Sequence, residues 1–204
     1  MASKTTELDA VNIILSAVGE PPITSLDSGT LPADAAMAKT ILTEASREIQ
    51  SMGWHFNTVR DVVLIPDSAD ADRIAPGDNA LRVDLEAQHT GSYDIVHRGD
   101  YLYDRKGQTY AFTGASLKAL VVYMLEWTEL PEPARRLIAT RGARIFQSRM
   151  VGSGDHHSFT MQDEFNAMAL LREFEGETAN HSIFGHYDVY RTIDRGSVAN
   201  RITR

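Results

Sequence analysis

Residues 41–66 read ILTEASREIQSMGWHFNTVRDVVLIP, and the spacing of their apolar positions changes partway through. Up to Met52 the apolar residues recur at intervals of three and four, the period of one helix face. Beyond Asn57 they come in short β-branched runs bounded by turn residues, as strands do. Gly53 stands between the two regimes as a helix stop, and Trp54 and Phe56 are placed to plug the bottom of a helical core. A helical unit ends here and a β-rich one begins.

Upstream, residues 33–52 predict one helix with Ala38, Ile41, Leu42, Ala45, Ile49 and Met52 as its stripe. Residues 5–18, TTELDAVNIILSAV, predict another, with Leu8, Val11, Leu15 and Val18 on one face. Thr6 and Asp9 have capping-box spacing, and Gly19 before Pro21-Pro22 ends the segment. Two helices joined by about a dozen residues are expected to pack antiparallel.

Downstream, VVLIP (62–66), ALRVDL (80–85), the hairpin pattern YDIVHRGDYLYDR (93–105), TYAFTG (109–114) and ALVVYML (119–125) predict five or six strands in a small antiparallel sheet or sandwich. Arg98-Gly99-Asp100 marks the hairpin reversal. Helical character returns at Pro131-Glu132-Pro133, where proline fits the first turn. That third helix turns Leu137, Ile138, Ile145 and Phe146 inward, with Arg135, Arg136, Arg141, Arg144 and Arg149 on its other faces. A fourth helix, from about Thr160 to Gly176, carries Met161, Phe165, Met168 and Leu171. Residues past 180 show no period and no caps.

The expected fold class is α+β: an antiparallel helical bundle with an inserted small antiparallel β-rich lobe and an extended C-terminal tail. The expected division is 1–57 and 129–178 for the bundle, 58–128 for the lobe and 179–204 for the tail.

Composition narrows the function. The 204 residues carry a formal net charge of −8, which disfavours a DNA-phosphate-binding face. The absence of cysteine excludes disulfides, thiolate zinc and thiol nucleophiles. No apolar run is long enough to span a bilayer, and MASKTTELDAVN lacks the features of a signal peptide. Among the cations, 16 Arg stand against 4 Lys. Arginine suits fixed, bidentate protein contacts, although drift in genome composition is an equal explanation.

Chemical motifs are scarce. Nucleotide loops, G-x-S-x-G and H-E-x-x-H are all missing. Asp67, Asp70 and Asp72 lack the glycine and terminal glutamate of a calcium loop. The stretch GSGDHHSF (152–159) reads as a connector, with glycines for the turn and Asp155 or Ser158 as the next N-cap. A metal site is the competing reading, but adjacent His156 and His157 do not share a face. His181 and His186 offer no better ligand spacing, while His55 and His97 read as partly buried, hydrogen-bonded residues. Glu44, Glu48, Glu164, Glu173 and Glu175 read as solvated helix positions. The segment 187–204, rich in tyrosine and arginine, reads as ordered against a partner. The candidate interface set is therefore Arg135, Arg136, Arg144, Arg149, Tyr187, Tyr190, Arg191, Arg195, Arg201 and Arg204. The sequence nominates no catalytic, cofactor or metal residue.

Several blocks carry a resemblance. Ala10-Val11-Asn12, Ile14-Leu15 and Gly19-Glu20-Pro21-Pro22 open it. Ala33-Asp34-Ala35-Ala36, Ile41-Leu42, Arg47, Ile49-Gln50-Ser51 and Gly53-Trp54-His55-Phe56-Asn57 continue it. Arg98-Gly99-Asp100-Tyr101-Leu102-Tyr103-Asp104-Arg105, Leu130-Pro131-Glu132, Arg144-Ile145-Phe146 with Arg149, and the final Thr203-Arg204 complete it. Together they resemble the tail tubular protein A family, the adaptors or gatekeepers of short-tailed, autographivirus-type bacteriophages. The loop at 67–79 and residues 152–160 depart from the pattern, and no histidine is required at the second.

The resemblance implies a virion tail part, made in the host cytoplasm. It implies a dodecameric ring of this chain below the portal protein, joined to a six-membered nozzle of tail tubular protein B type, with tail fibres attached near the junction. Viral DNA would pass through the lumen without sequence recognition, and no cofactor or membrane insertion is implied. Some family members have been credited with glycan hydrolysis, so the alternative is a tail protein with an added peptidoglycan or capsule hydrolase activity.

Overall fold

A computed structural model describes residues 4–27, 29, 31–86, 89, 91–150 and 154–178, the side chains of 154–160 excepted. Four helices pack together: α1 (Glu7–Ser16), α2 (Ala33–Ser51), α3 (Glu132–Met150) and α4 (Gly154–Thr178). Between α2 and α3 lie β1 (Thr58–Leu64), β2 (Ala80–Leu85), β3 (Ile95–Arg98), β4 (Tyr101–Asp104) and β5 (Leu117–Tyr123). The class is α+β, as the pattern predicts.

Helix α1 begins where the capping box places it. The Thr6 hydroxyl accepts from the Asp9 N–H at 3.1 Å, and Asp9 accepts from the Thr6 N–H at 2.9 Å. Gly19 ends the segment at φ 82°, a backbone conformation that costs glycine nothing. Asn12 then pins the turn: its side chain donates to the Ile23 carbonyl at 3.1 Å and accepts from the Ile23 N–H at 2.8 Å.

The bundle core joins Val11, Ile14 and Leu15 of α1 with Ile41, Leu42 and Ile49 of α2. Leu137, Ile138 and Phe146 of α3 and Leu171 of α4 complete it. Gly142 on α3 permits a close approach to α1, since a Cβ there would lie 2.7 Å from Ile14 Cδ1. Trp54 and Phe56 pack against this core, as expected, but Met52 is 45% exposed and lies off the stripe. Helix α4 starts at Gly154, not near Thr160, so Asp155 and Ser158 stand inside the helix instead of capping it. Its Met161 and Phe165 are exposed at 61% and 68%, whereas Leu171 and Met168 pack on the core as expected, joined there by Ala167.

The lobe has two antiparallel sheets, β1-β5-β2 and β3-β4. The last strand in sequence is therefore the central one of its sheet. β2 keeps its predicted bounds, and β3 and β4 reverse at Gly99-Asp100. TYAFTG is not a strand. Only Thr109 makes a bridge, to Asp104, while Phe112 turns into the lobe core beside Leu102, Ile74 and Leu117.

Buried amides join the two cores. The Gln50 side chain donates to the Leu125 carbonyl and the Ser46 hydroxyl, and accepts from the Leu125 N–H at 2.8 Å. The Asn57 side chain donates at 2.9 Å to the carbonyls of both Gln50 and Tyr123 and accepts from the Trp54 N–H. Each amide is satisfied on both its donor and acceptor sides, so burial carries no penalty for an unmade bond.

Candidate functional site

The arginines of α3 occupy three different environments. Arg135 does not lie on an outer face: it is 3% exposed. Its guanidinium donates to the carbonyls of Leu130, Thr5 and Thr128 at 3.0, 2.9 and 2.8 Å. Trp127 Nε1 donates to the same Thr5 carbonyl, and Glu132 accepts from Thr5. This fork of donors ties the chain before α1 to the entry of α3, a role that uses arginine's fixed geometry internally. Periodicity missed it because a cation is read as surface unless its partners are visible.

Arg141 and Arg144 converge on Glu164 of α4, and Arg141 also reaches Glu48 of α2. Glu164 and Arg141 are each only 16% exposed, so this is a half-buried clamp across three helices. Arg149 pairs with Glu44 at 2.9 Å, both about half exposed. Glu44, Glu48 and Glu164 are thus partners of α3 arginines and not merely solvated positions. Glu175 accepts from the His55 N–H at 2.6 Å, so it too is engaged. Of the five α3 arginines, only Arg136 makes no side-chain hydrogen bond or ion pair among the described residues. It is exposed beside a groove of about 430 Å³ between α1, α3 and α4, lined also by Ile13, Thr140, Asp163 and Leu170.

An arginine–aromatic surface lies on the lobe, outside the candidate interface set. Arg98 sits 4.0 Å from the Tyr103 ring centre, Tyr103 meets Tyr110 edge-on at 4.8 Å, and Arg73 lies 4.8 Å from the Tyr101 ring. A hydrogen bond to the Asp70 carboxylate raises the Tyr101 pKa. The alternation of Tyr101 and Tyr103 in the hairpin was the available signal.

The loop carboxylates have local uses. Asp67 accepts from the Ala69 N–H, Asp70 pairs with Arg73, and Asp72 accepts from Thr113. Asp104 is buried and accepts from the N–H groups of Asp94, Lys106 and Gly107 at 2.9–3.0 Å. Burial pushes its carboxyl upward, but these bonds and the Lys106 charge outweigh that and leave it below the ordinary value. Asp9 is also lowered, by its bonds to Thr6.

His55 and His97 are exposed, contrary to expectation, because each sits on an outer position of the lobe or its entry. Among the described residues no group of three His, Asp or Glu is placed to hold a metal. His181, His186, Tyr187, Tyr190, Arg191, Arg195, Arg201 and Arg204 lie outside the described residues, as do the side chains of His156 and His157. No described helix is long and apolar enough to cross a membrane.

The described site is therefore made of surfaces, with polar side chains committed to joints between elements: the class is that of a structural part. The match to the tail tubular protein family covers residues 8–181, and the chain belongs to that family. It is a structural component of a phage tail. Over 168 residues it is 29% identical to the tail tubular protein A of Klebsiella phage KP34, covering 82% of this chain and 86% of that protein. Asn12, Gln50, Trp54, Asn57 and Asp104, all within the blocks that carry the resemblance, are the residues that hold turns and lobes together.

Proposed function

We propose that the chain is a ring-forming adaptor that joins the portal to the tail nozzle, helps retain and pass DNA, and supports fibre attachment. The observation that carries this reading is the family match across both the helical and the β-rich parts. In this reading 1–57 and 129–178 form the bundle unit, 58–128 the lobe and 179–204 the partner-seeking tail.

Side-to-side contacts in a closed ring are heterologous, so two different faces of each copy must fit. Arg136 with its groove supplies one such face; exposed Met161 and Phe165 supply apolar area on another. Arg144 and Arg149 contribute from their ion pairs, whereas Arg135 acts within the subunit by fixing Thr5 and the start of α3. Tyr187, Tyr190, Arg191, Arg195, Arg201 and Arg204 are assigned to portal contact.

Mixing with the purified portal and weighing the product tests the adaptor reading. A mass corresponding to a complete ring on the portal is expected; a persistent monomer overturns it. A truncation at residue 180 should abolish portal binding, and unchanged binding removes the tail from that role. The −8 charge also supports a negative lumen that lets DNA slide without sticking. A mainly positive inner wall in the assembled ring overturns that element.

A further inference from the structure

We propose that the groove between α1, α3 and α4 receives Phe165 of a neighbouring copy, which makes α4 the side-to-side contact of the ring. This contact rests on the ring reading above and supplies the residues that meet.

Helix α4 exposes apolar area on two flanks. On one, Leu170 and, from α1, Ile13 are 48% and 44% exposed along the groove of about 430 Å³. On the other, Met161 and Phe165 are 61% and 68% exposed beside the Arg144–Glu164 pair. Large apolar side chains gathered within a polar rim mark contact surfaces. One flank is a hollow, and the other presents an aromatic side chain that can fill it.

The two flanks point away from each other. An α-helix turns about 100° per residue, so Asp163, Ala167 and Leu170 cluster roughly 170° around α4 from Met161, Phe165 and Arg172. Buried Leu171 lies between the two sets and faces the bundle. A closed ring of identical copies needs this arrangement: each copy gives with one surface and takes with a different one on its far side. A two-fold pair would instead bring one flank against itself.

Charge separates the flanks in the same way. Arg136 and Asp163 border the groove, both exposed and neither in an ion pair among the described residues. Arg172, two turns beyond Phe165 on the same flank, is also exposed and unpaired among the described residues. The half-exposed Glu48 carboxylate stands near that flank, joined through Arg141 to Glu164. Asp163 and Arg136 on one side thus have Arg172 and Glu48 to meet on the other. Seating Phe165 then strands no charge, and the opposite signs favour this partner over a wrong one.

Purified portal is mixed with the parent chain, with Phe165→Asp, with Asp163→Arg, with Arg172→Asp and with the double variant D163R/R172D. The assembled mass is measured over a concentration series. All three positions are exposed, so urea midpoints of the free chains should match the parent. Phe165→Asp is expected to need at least about tenfold more protein to complete a ring. Each charge reversal should weaken assembly about threefold or more, and the double variant should regain most of the loss. A parent ring that Phe165→Asp leaves unchanged overturns this contact and leaves the adaptor reading standing. Charge reversals that weaken assembly with no recovery in the double variant also overturn it, by separating Asp163 from Arg172. A parent chain that stays monomeric on the portal overturns the ring reading and this contact with it.

Discussion

In the bundle, Gly142 lets α3 press against Ile14 and Ile41, and the core closes through side-chain contact over four helices. In the lobe, Asp104 gathers three backbone N–H groups, and Phe112 reaches the core from a loop instead of a strand. One region is specified by shape, the other by where a few polar atoms are aimed. The difference teaches what each can tolerate. A close-packed core resists added volume, whereas a loop-built lobe resists loss of an acceptor.

The sharpest way to break this contrast is Gly142→Leu. Its side chain enters space already occupied by Ile14, and a loss of about 3 kcal/mol or more is expected in urea unfolding. A cost near zero would show that the bundle can open at that crossing. Next is Gln50→Leu, which leaves the Leu125 N–H and C=O without their partner; about 2 kcal/mol is expected. Thermal unfolding should then separate into two transitions, because this amide couples the regions.

Asp104→Asn follows, at about 1 to 2 kcal/mol, with the loss confined to lobe probes. The sign of its pH dependence is set by the lowered pKa. The stabilisation is complete above the unfolded carboxylate value of about 4 and is lost as pH falls through the lower folded value. Acid titration followed by hairpin amide signals should show this loss in the parent and a flattened profile in the variant. The smallest effect is expected for Arg149→Ala, under about 0.5 kcal/mol by urea unfolding, because its pair with Glu44 is half exposed and screened.

Much of the fold was legible from local chemistry. Thr6 with Asp9, Gly19, Gly53, the bounds of β2 and the reversal at Gly99-Asp100 each follow from constraints that neighbours impose on the backbone. What escaped depends on residues distant in sequence. Phe112 lies in a run that alternates like a strand, yet the space beside Leu102 and Ile74 draws it into a turn. Phe165 is apolar and in helical phase, but α3 meets α4 along the face of Ala167 and Leu171. Arg135 was legible as an arginine, not as the owner of three carbonyls. The candidate surfaces were less legible still, since their meaning rests on which charges are already engaged within the chain.

The position of β5 has a consequence for synthesis. β1 and β2 have no ladder with each other; both wait for Leu117–Tyr123, and the earlier helices wait for Gly142 to arrive. A nascent chain stalled before residue 117 holds two unmatched strands and two half-covered helices. Maturation on the ribosome therefore waits until both Leu117–Tyr123 and Gly142 have emerged, when both halves can close together.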